Sequence, residues 1–263
     1  VMELSENVKH LRVGQLVLLI GGGTWSQQIV APASEFLPLP DLDSLDKKLI
    51  EQLAMSLVNP ATAFLMLTSF TELQQGQWLV QSAANSAVGG YIIQLAKQRG
   101  VKTVNIVRRE GLADELIAKG ADVVLLDGPN LVKDIMKATD NAPIDLGLDS
   151  VGGDTFSRLA NSLNHGGTLI AYGVLSGKPA YLNTAITIFK DIRIRGFWLS
   201  KWYKEASSEE IKKTFEQIIP LIIKGVMSAN VDSRFTIDEI SQAVSRAAQS
   251  RRNGKVLILP SGK

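Results

Sequence analysis

Short apolar runs alternate with amphipathic segments through the middle of the chain. Runs with the length and composition of β-strands span residues 78–81, 103–107, 123–126, 144–149, 168–173 and 192–198. Segments whose apolar residues recur at helical spacing lie between them, at 88–97, 111–119, 131–138 and 156–163. Strands that alternate with helices in this way are typical of a parallel sheet with both faces covered. The pattern therefore predicts an α/β fold, a doubly wound parallel-sheet domain over about residues 60 to 200.

Outside this region the pattern is different. Strands are predicted at residues 1–4, 14–20 and 254–259, and helices at 45–57, 60–67, 208–224 and 237–249. A strand that closes the chain after a doubly wound domain is expected to return to the β unit at the N-terminus. We therefore predict a second domain built from both chain ends, 1–58 and 225–263, and a dinucleotide-binding domain at 59–224.

The first strand of the alternating region leads into a turn of small residues and then a helix. In a dinucleotide-binding fold, backbone N–H groups at such a helix N-terminus attract a pyrophosphate. The usual fingerprint is Gly-x-Gly-x-x-Gly, and its three glycine positions hold Ala84, Ser86 and Gly89 here. Alanine permits a tight turn, serine adds a hydroxyl that can reach a phosphate, and Gly89 lets the helix pack closely on the strand. The alternative interpretation is an ordinary buried β-α unit.

Two arginines directly follow the second strand of this region. In a dinucleotide fold, an acidic residue at this strand end binds the 2′-hydroxyl of NAD, whereas arginine accommodates the 2′-phosphate of NADP. The strand end has no acid and is followed by Arg108 and Arg109, which favours NADP(H) over NAD(H). The alternative is a solvated basic pair on a loop.

Composition narrows the remaining function classes. The net charge of +2 implies no field that would bind a polyanion, so we expect no nucleic-acid partner. The apolar runs are too short to span a bilayer, so we expect no membrane partner either. Because the chain has no cysteine, disulfides, a four-cysteine zinc site and a Cys/His catalytic site are excluded. Only His10 and His165 remain as imidazole ligands, and we expect no metal site.

The absence of cysteine also suits a reducing compartment. We therefore expect a cytoplasmic protein, or a mitochondrial one if the source is eukaryotic. The chain begins with Val1 inside an apolar pattern, so we also expect it to be a fragment that lacks part of an N-terminal β unit.

Several sequence elements point to a known family. They are Gly23-Thr24-Trp25, Val58-Asn59-Pro60-Ala61-Thr62-Ala63, Asn85-Ser86-Ala87-Val88-Gly89, and the run from Ile188-Phe189-Lys190-Asp191 through Arg195-Gly196-Phe197-Trp198-Leu199-Ser200-Lys201-Trp202. With these elements the chain resembles the medium-chain dehydrogenase/reductase superfamily over its whole length. Within that superfamily it is most similar to the zinc-free 2-enoyl thioester reductases. The resemblance implies a Rossmann domain and a partial GroES-like β domain formed by both chain ends.

The resemblance also implies an activity and a set of site residues. The activity is NADPH-dependent reduction of 2,3-unsaturated acyl thioesters, with hydride transfer to the β-carbon. The implied cofactor contacts are Asn59; Asn85, Ser86, Ala87 and Val88 around the pyrophosphate; Arg108 and Arg109 at the 2′-phosphate; Tyr172, Gly173, Val174, Leu175, Phe197, Trp198 and Leu199 at the nicotinamide end; and Lys255 from the terminal strand.

Some of these residues also have structural interpretations. Tyr172 and Phe197 can be core aromatics at strand ends, Asn59 can cap the helix that begins at Pro60, and Lys255 can be an edge lysine. The proton donor of the family is a tyrosine that would lie upstream of residue 1, and no tyrosine in this chain matches it. No catalytic acid is therefore assigned.

Two other functions stay open at this point. One is a zinc-free quinone or enone oxidoreductase of the same fold, which needs no specialised acid. The other is a non-catalytic NADP(H)-binding protein. In each case the expected partner is a small molecule, and a homodimer is expected because the strand near 193–198 is predicted to be the edge of the sheet.

Overall fold

The computed structural model describes residues 1–42, 44–249 and 252–259. Its strands are β1 (Val17–Leu19), β2 (Phe36–Pro38), β3 (Trp78–Gln81), β4 (Lys102–Val107), β5 (Val123–Leu126), β6 (Ile144–Asp149), β7 (Thr168–Ala171), β8 (Arg193–Gly196), β9 (Val231–Thr236) and β10 (Lys255–Leu259). Its α-helices are α1 (Lys47–Ala54), α2 (Asn59–Thr68), α3 (Ala87–Gln98), α4 (Ala113–Lys119), α5 (Leu131–Ala138), α6 (Gly153–Ser162), α7 (Thr184–Phe189), α8 (Leu199–Glu205), α9 (Ser208–Ile223) and α10 (Ile240–Ala248).

The unit Asn59–Ala206 is built on a six-stranded sheet with the order β5-β4-β3-β6-β7-β8. Every neighbouring pair in it is parallel. The chain moves outward from β3 to β5 and then returns to the other side of β3 to place β6. This reversal between β3 and β6 is the topological switch point of a Rossmann-type sheet. The predicted α/β, doubly wound parallel sheet is confirmed.

Two apolar clusters cover the sheet, and successive residues of β4 point alternately into one cluster and the other. Val104 and Ile106 pack with residues of α5 and α6, such as Leu131 and Leu159, in one cluster. Val107 packs with α3 and α4 residues such as Leu116 in the other cluster. Because alternate residues of a strand point to opposite faces, the two helix pairs lie on opposite faces of the sheet.

The first turn of α3 lies against the turn that follows β3 because Gly89 has no side chain. A Cβ atom at Gly89 would lie 2.4 Å from the carbonyl oxygen of Ala84, which is part of the turn before the helix. Gln81, the last residue of β3, donates a hydrogen bond from Nε2 to the carbonyl oxygen of Gly89 at 3.1 Å. Ser86 caps the helix, and its hydroxyl oxygen accepts from the N–H of Gly89 at 3.1 Å. The left-handed residue of the turn is Ala83, with φ of 47°.

The other unit comprises Val1–Val58 and Ser207–Lys263, so both chain ends fold together. Gln52 on α1 joins them, since its side-chain amide exchanges two hydrogen bonds of 2.9 Å with the backbone of Ala229. Beside it the buried Glu51 accepts from Nε and Nη2 of Arg234 at 2.5 and 2.7 Å. The hydrogen bonds from Arg234 hold the pKa of Glu51 below its ordinary value.

The structure differs from the predicted organisation of this unit in three respects. The closing strand β10 pairs in parallel with β9 and not with the N-terminal strands, since α10 connects β9 and β10 as a crossover. Helix α9, which the domain prediction assigned to 59–224, belongs to the unit of the chain ends and packs on α1. Residues 1–4 form no strand, and β1 pairs instead with β2 in an antiparallel ladder.

Two predicted strands of the large sheet end earlier than expected. The runs 168–173 and 192–198 form ladders only over Thr168–Ala171 and Arg193–Gly196. The residues beyond these ends lie at the carboxyl edge of the sheet, where Tyr172 and Phe197 each donate one more backbone hydrogen bond to the neighbouring strand. The short helices α7 and α8 were not predicted, because each spans fewer than two full turns and has little room for a periodic pattern.

Among the described residues, no single helix is both long and apolar enough to cross a membrane. The helices α1 and α2 meet the criteria of length and composition only when they are taken together as a bent pair.

The close contact at Gly89 can be tested by comparing a substitution at Gly89 with the same substitution at Gly90 in helix α3. We expect Gly89→Ala to lower the free energy of unfolding by about 1–3 kcal/mol, because the added methyl group collides with backbone and not with a flexible side chain. Urea unfolding followed by circular dichroism measures this difference.

Gly90→Ala is the matched control. A Cβ atom at Gly90 meets nothing within 4 Å, so this variant should be neutral or gain up to about 1 kcal/mol from the higher helix propensity of alanine. Equal midpoints for the two variants would contradict the close approach of α3 to β3.

Candidate functional site

Except for Asn59, the predicted site residues of the Asn59–Ala206 unit follow strand ends at one edge of the sheet. The ends of parallel strands share an edge, so the segments after β4, β3, β6 and β7 lie side by side in that order. Neighbouring strands are about 4.8 Å apart, which places the first and last of these segments about 14 Å from one another. The edge is therefore a row of loops that an elongated ligand can lie across.

The segment after β3 offers backbone donors. Asn85 is exposed, while Ser86, Ala87 and Val88 are half-buried at the start of α3. Since the first N–H groups of an α-helix have no partner inside the helix, those of Ala87 and Val88 are directed outward from the N-terminus. The positive end of the helix dipole adds to their attraction for an anion.

Arg108 and Arg109 occupy the neighbouring position along the row. Both are exposed and directly follow β4. Within the described part of the chain, neither guanidinium forms an ion pair with a carboxylate. Both charges are thus available to an external anion beside the N-terminus of α3.

A buried carboxylate at the end of β6 was not among the predicted site residues. Asp149 is 0% exposed, and its Oδ1 accepts from the hydroxyl of Ser82 at 2.6 Å. Its two oxygens also accept from the N–H groups of Val151 at 3.2 Å and Gly152 at 2.8 Å. The hydroxyl oxygen of Ser82 in turn accepts from the N–H of Ser150 at 3.0 Å. The available sequence signal was an aspartate that ends an apolar strand shortly before the glycine pair Gly152-Gly153.

The segment after β7 lies on this turn. The N–H of Tyr172 donates to the carbonyl oxygen of Asp149, and that of Leu175 to the carbonyl oxygen of Ser150, both at 2.9 Å. A Cβ atom at Gly173 would lie 2.9 Å from the carbonyl oxygen of Ser150. The side chains of Val174 and Leu175 are 78% and 71% exposed. The backbone of this segment is therefore fixed, while its apolar side chains face outward.

Two buried hydroxyl groups beside this segment have no hydrogen-bond partner among the described residues. They belong to Tyr172 and Ser150. Burial raises the pKa of Tyr172 to about 12, and the hydroxyls of Ser150 and Ser86 face the phenol. The hydroxyls of Tyr172 and Ser150 are thus buried beneath the segment after β7, close to the N-terminus of α3.

The predicted residues after β8 have a partly structural role. Phe197 continues the ladder by donating from its N–H to the carbonyl oxygen of Ala171 at 2.9 Å. Its ring meets that of Phe70 edge-to-face, with the centroids 6.0 Å apart. Trp198 is 66% exposed, and Leu199, the first residue of α8, is half-buried. Phe197 is thus packed against another aromatic ring, whereas the side chain of Trp198 is open to solvent.

Asn59 and Lys255 lie outside the row of strand ends. Asn59 is the first residue of α2, which packs on α3. Lys255 is the first residue of β10 in the other unit, and burial together with the charge of Arg252 lowers its pKa. A cofactor contact of Lys255 stays a prediction. Within residues 1–42, 44–249 and 252–259, no three histidine, aspartate or glutamate side chains are grouped as metal ligands would be.

Comparison with known proteins gives the family. Residues 87–222 match the family model described as zinc-binding dehydrogenase. The chain is 33% identical over 241 residues to the mitochondrial enoyl-[acyl-carrier-protein] reductase of Dictyostelium discoideum, covering 90% of this chain and 65% of that protein. It is 32% identical over 272 residues to the human protein of the same name, covering 98% and 70% of the two chains. The chain thus spans about two thirds of the length of the curated relatives it matches.

Solved structures give the same fold. The complex of Etr1p with NADP and crotonyl-CoA has a TM-score of 0.85 and 27% identity, covering 98% of this chain and 77% of that chain. An NADPH:quinone reductase from Bacillus thuringiensis has a TM-score of 0.86 and 27% identity, covering 97% and 76%.

The name of the family refers to zinc, but this chain has no cysteine. Its relatives, its Rossmann-type sheet and the sequence elements around Asn85–Gly89 agree with one another. The chain therefore belongs to the zinc-binding dehydrogenase family of the medium-chain dehydrogenase/reductase superfamily, as a zinc-free member that is most like the 2-enoyl thioester reductases.

Proposed function

We propose that the chain is the NADP(H)-binding part of a reductase that acts on 2,3-unsaturated acyl thioesters. One observation carries this proposal. The N-terminus of α3 presents backbone N–H groups at the switch point of the sheet, beside two exposed guanidinium groups that form no ion pair within the described residues. The names of the relatives, which are mitochondrial enoyl-[acyl-carrier-protein] reductases, supply the substrate class.

The groups along the row fit NADP(H) in the order of its parts. Arg108 and Arg109, after β4, would hold the 2′-phosphate, since guanidinium groups pair strongly with phosphate oxygens. The N–H groups of Ala87 and Val88, after β3, would hold the pyrophosphate. The segment after β7 would follow in the row, with Gly173 and the exposed Val174 at the nicotinamide end.

The bound cofactor would supply the hydride that adds to the β-carbon of the conjugated thioester. The chain itself orients and shields the reacting groups. The segment Tyr172–Leu175 is fixed by backbone hydrogen bonds, and its exposed Val174 and Leu175 would exclude water from the nicotinamide side. Protonation of the α-carbon needs an acid, and we assign no tyrosine of residues 1–263 to this step.

Reduction of a quinone or a short enone is the second candidate. The likeness to an NADPH:quinone reductase, with a TM-score of 0.86, favours it. A quinone accepts hydride without a specialised carbon acid, so the same row of cofactor groups would suffice.

We propose a mitochondrial location in a eukaryote, as in the names of the relatives, and a cytoplasmic one otherwise.

The substrate class is decided by oxidation of NADPH, followed at its nicotinamide absorbance. The full-length gene product that contains residues 1–263 should be assayed with crotonyl-CoA, a longer trans-2-enoyl-CoA and a quinone. We expect kcat/KM for an enoyl thioester to exceed that for the quinone by about tenfold or more, the scale on which binding sites separate such substrates. Turnover of the quinone alone would favour the second candidate and contradict the first.

Cofactor preference is tested at the arginine pair. In Arg108→Gln/Arg109→Gln we expect NADPH to bind on the order of 10–100-fold more weakly, because charge-assisted bonds to the 2′-phosphate are lost. Binding of NADH, which has no such phosphate, should change by less than about twofold. Isothermal titration calorimetry measures both constants.

The matched control is Lys97→Gln/Lys102→Gln. This variant also removes two positive charges, but from the end of α3 and the start of β4, at the opposite edge of the sheet. Its NADPH affinity should stay near that of the wild type. An equal loss in both variants would mean that overall charge, and not the site, sets the affinity.

We also propose a homodimer that pairs β8 with its copy. β8 is the edge of the sheet and all four of its residues are exposed. The N–H groups of Arg193 and Phe197 are bonded toward β7, so the N–H of Ile194 points away from the sheet. Large apolar side chains near this edge are exposed, among them Ile188 at 69%, Phe189 at 77% and Trp198 at 66%. Exposed apolar patches of this kind mark interaction sites.

Sedimentation velocity tests the dimer. We expect the wild-type protein to sediment as a dimer and Ile194→Pro as a monomer, because proline removes an outward N–H but none that bonds to β7. Ile194→Val keeps the N–H and a branched apolar side chain, and should stay dimeric. A monomeric wild type, or a dimeric Ile194→Pro, would contradict pairing through β8.

A further inference from the structure

The carboxylate of Asp149 is buried at the carboxyl end of β6, between the turn after β6 and Ser82. A buried charge is costly unless hydrogen bonds surround it, and Asp149 is 0% exposed. Its backbone already completes β6, while its side chain binds only the turn beyond the strand and the hydroxyl of Ser82. The role of this charge must therefore be sought in that turn.

The hydrogen bonds of Asp149 connect two segments of the site. Ser82 directly precedes the turn that leads to the N-terminus of α3, and its hydroxyl donates to Asp149 at 2.6 Å. The same hydroxyl accepts from the N–H of Ser150, which closes a ring of hydrogen bonds between β3 and the end of β6. The carboxylate thus fixes the turn after β6 relative to the turn after β3.

The segment after β7 depends on this fixed turn. The carbonyl oxygens of Asp149, Ser150 and Val151 accept from the N–H groups of Tyr172, Leu175 and Ser176, each at 2.9 Å. These bonds extend beyond the ladder of β6 and β7, whose last pair is Asp149 with Ala171. If the turn after β6 shifts, the backbone of 172–176 must shift with it.

We infer that Asp149 is the positioning residue for the nicotinamide side of the site. It acts by tying the segment 172–176 to the segment that would hold the pyrophosphate. This inference rests on the proposed function, because only a dinucleotide spans both segments. The residue touches neither cofactor nor substrate, and its effect passes through the turn 150–152.

The inference is tested by comparing the binding of NADPH with the binding of its adenosine part, 2′,5′-ADP. In Asp149→Asn we expect NADPH to bind about tenfold more weakly, because bonds to a charged acceptor at the turn are weakened. 2′,5′-ADP contains the adenosine part without nicotinamide, and its binding should change by less than about twofold. With an enoyl thioester, kcat should fall on the order of 10²-fold, as expected for a reacting group misplaced by about 1 Å. Deuterium at the transferred position of NADPH should slow kcat more in the variant than in the wild type, since hydride transfer becomes rate-limiting.

Two further variants make the result decisive. Asp145 lies at the other end of β6, where its carboxylate accepts from Nε2 of Gln77 at 3.2 Å. The variant Asp145→Asn should bind both ligands like the wild type. Ser82→Ala removes one hydrogen bond to Asp149 and should repeat the pattern of Asp149→Asn in weaker form. Ser82→Ala provides the test if Asp149→Asn does not fold. Two results in Asp149→Asn would overturn the inference: an equal loss of affinity for both ligands, or an affinity for NADPH unchanged from the wild type. Where Asp149→Asn is unfolded, the same results in Ser82→Ala would overturn it.

Failure of the proposed function would give a different result. If the wild type bound neither NADPH nor 2′,5′-ADP, the proposed cofactor site would be wrong, and the inference with it. If the wild type bound both ligands but reduced no enoyl thioester, only the substrate proposal would fail, and the two binding constants would still decide the role of Asp149.

Discussion

The close approach of α3 to β3 is the constraint on which the site depends. A helix axis normally lies about 10 Å from the sheet it covers, and each side chain at the contact adds to that distance. At Gly89 no side chain intervenes, and the capped first turn of the helix lies directly above the carboxyl end of β3. Backbone N–H groups thereby reach the edge where the loops of the neighbouring strands also end. Polar bonds of Gln81 and Ser86 to the backbone of Gly89 hold the helix at this distance.

The sequence predicted the sheet because its central strands β3, β4, β6 and β7 are mostly buried and therefore largely continuous in their apolar character. Val123–Leu126 and Ile144–Asp149 were placed at their observed bounds, and the small-residue turn was assigned to the right strand end. Ser86 was considered for its hydroxyl, and the structure shows that its oxygen also caps the helix. These features depend on neighbours in the chain, which periodicity and spacing can describe.

Features that depend on distant residues were not predicted. The hydrogen bond from Ser82 to Asp149 joins residues 67 positions apart, and nothing in the local pattern separates Asp149 from any other acid at a strand end. The pairing of β10 with β9 was missed because β9, with the sequence Val-Asp-Ser-Arg-Phe-Thr, has no apolar alternation to identify it. Helix α9 could not be assigned to a unit from its own amphipathic pattern, since that pattern shows which face is buried but not against which partner.

The order of the strands separates two properties of the proposed cofactor site. The arginine pair follows β4 and the nicotinamide segment follows β7, with β3 and β6 between them. Substitutions at the end of β4 act on a loop that shares no hydrogen bond with the turn held by Asp149 in the described residues. With the proposed roles of these segments, the sheet would keep the choice between phosphorylated and unphosphorylated cofactor apart from the geometry of hydride transfer. A chain of this fold can exchange one cofactor for the other by a few surface changes, while its chemistry is conserved.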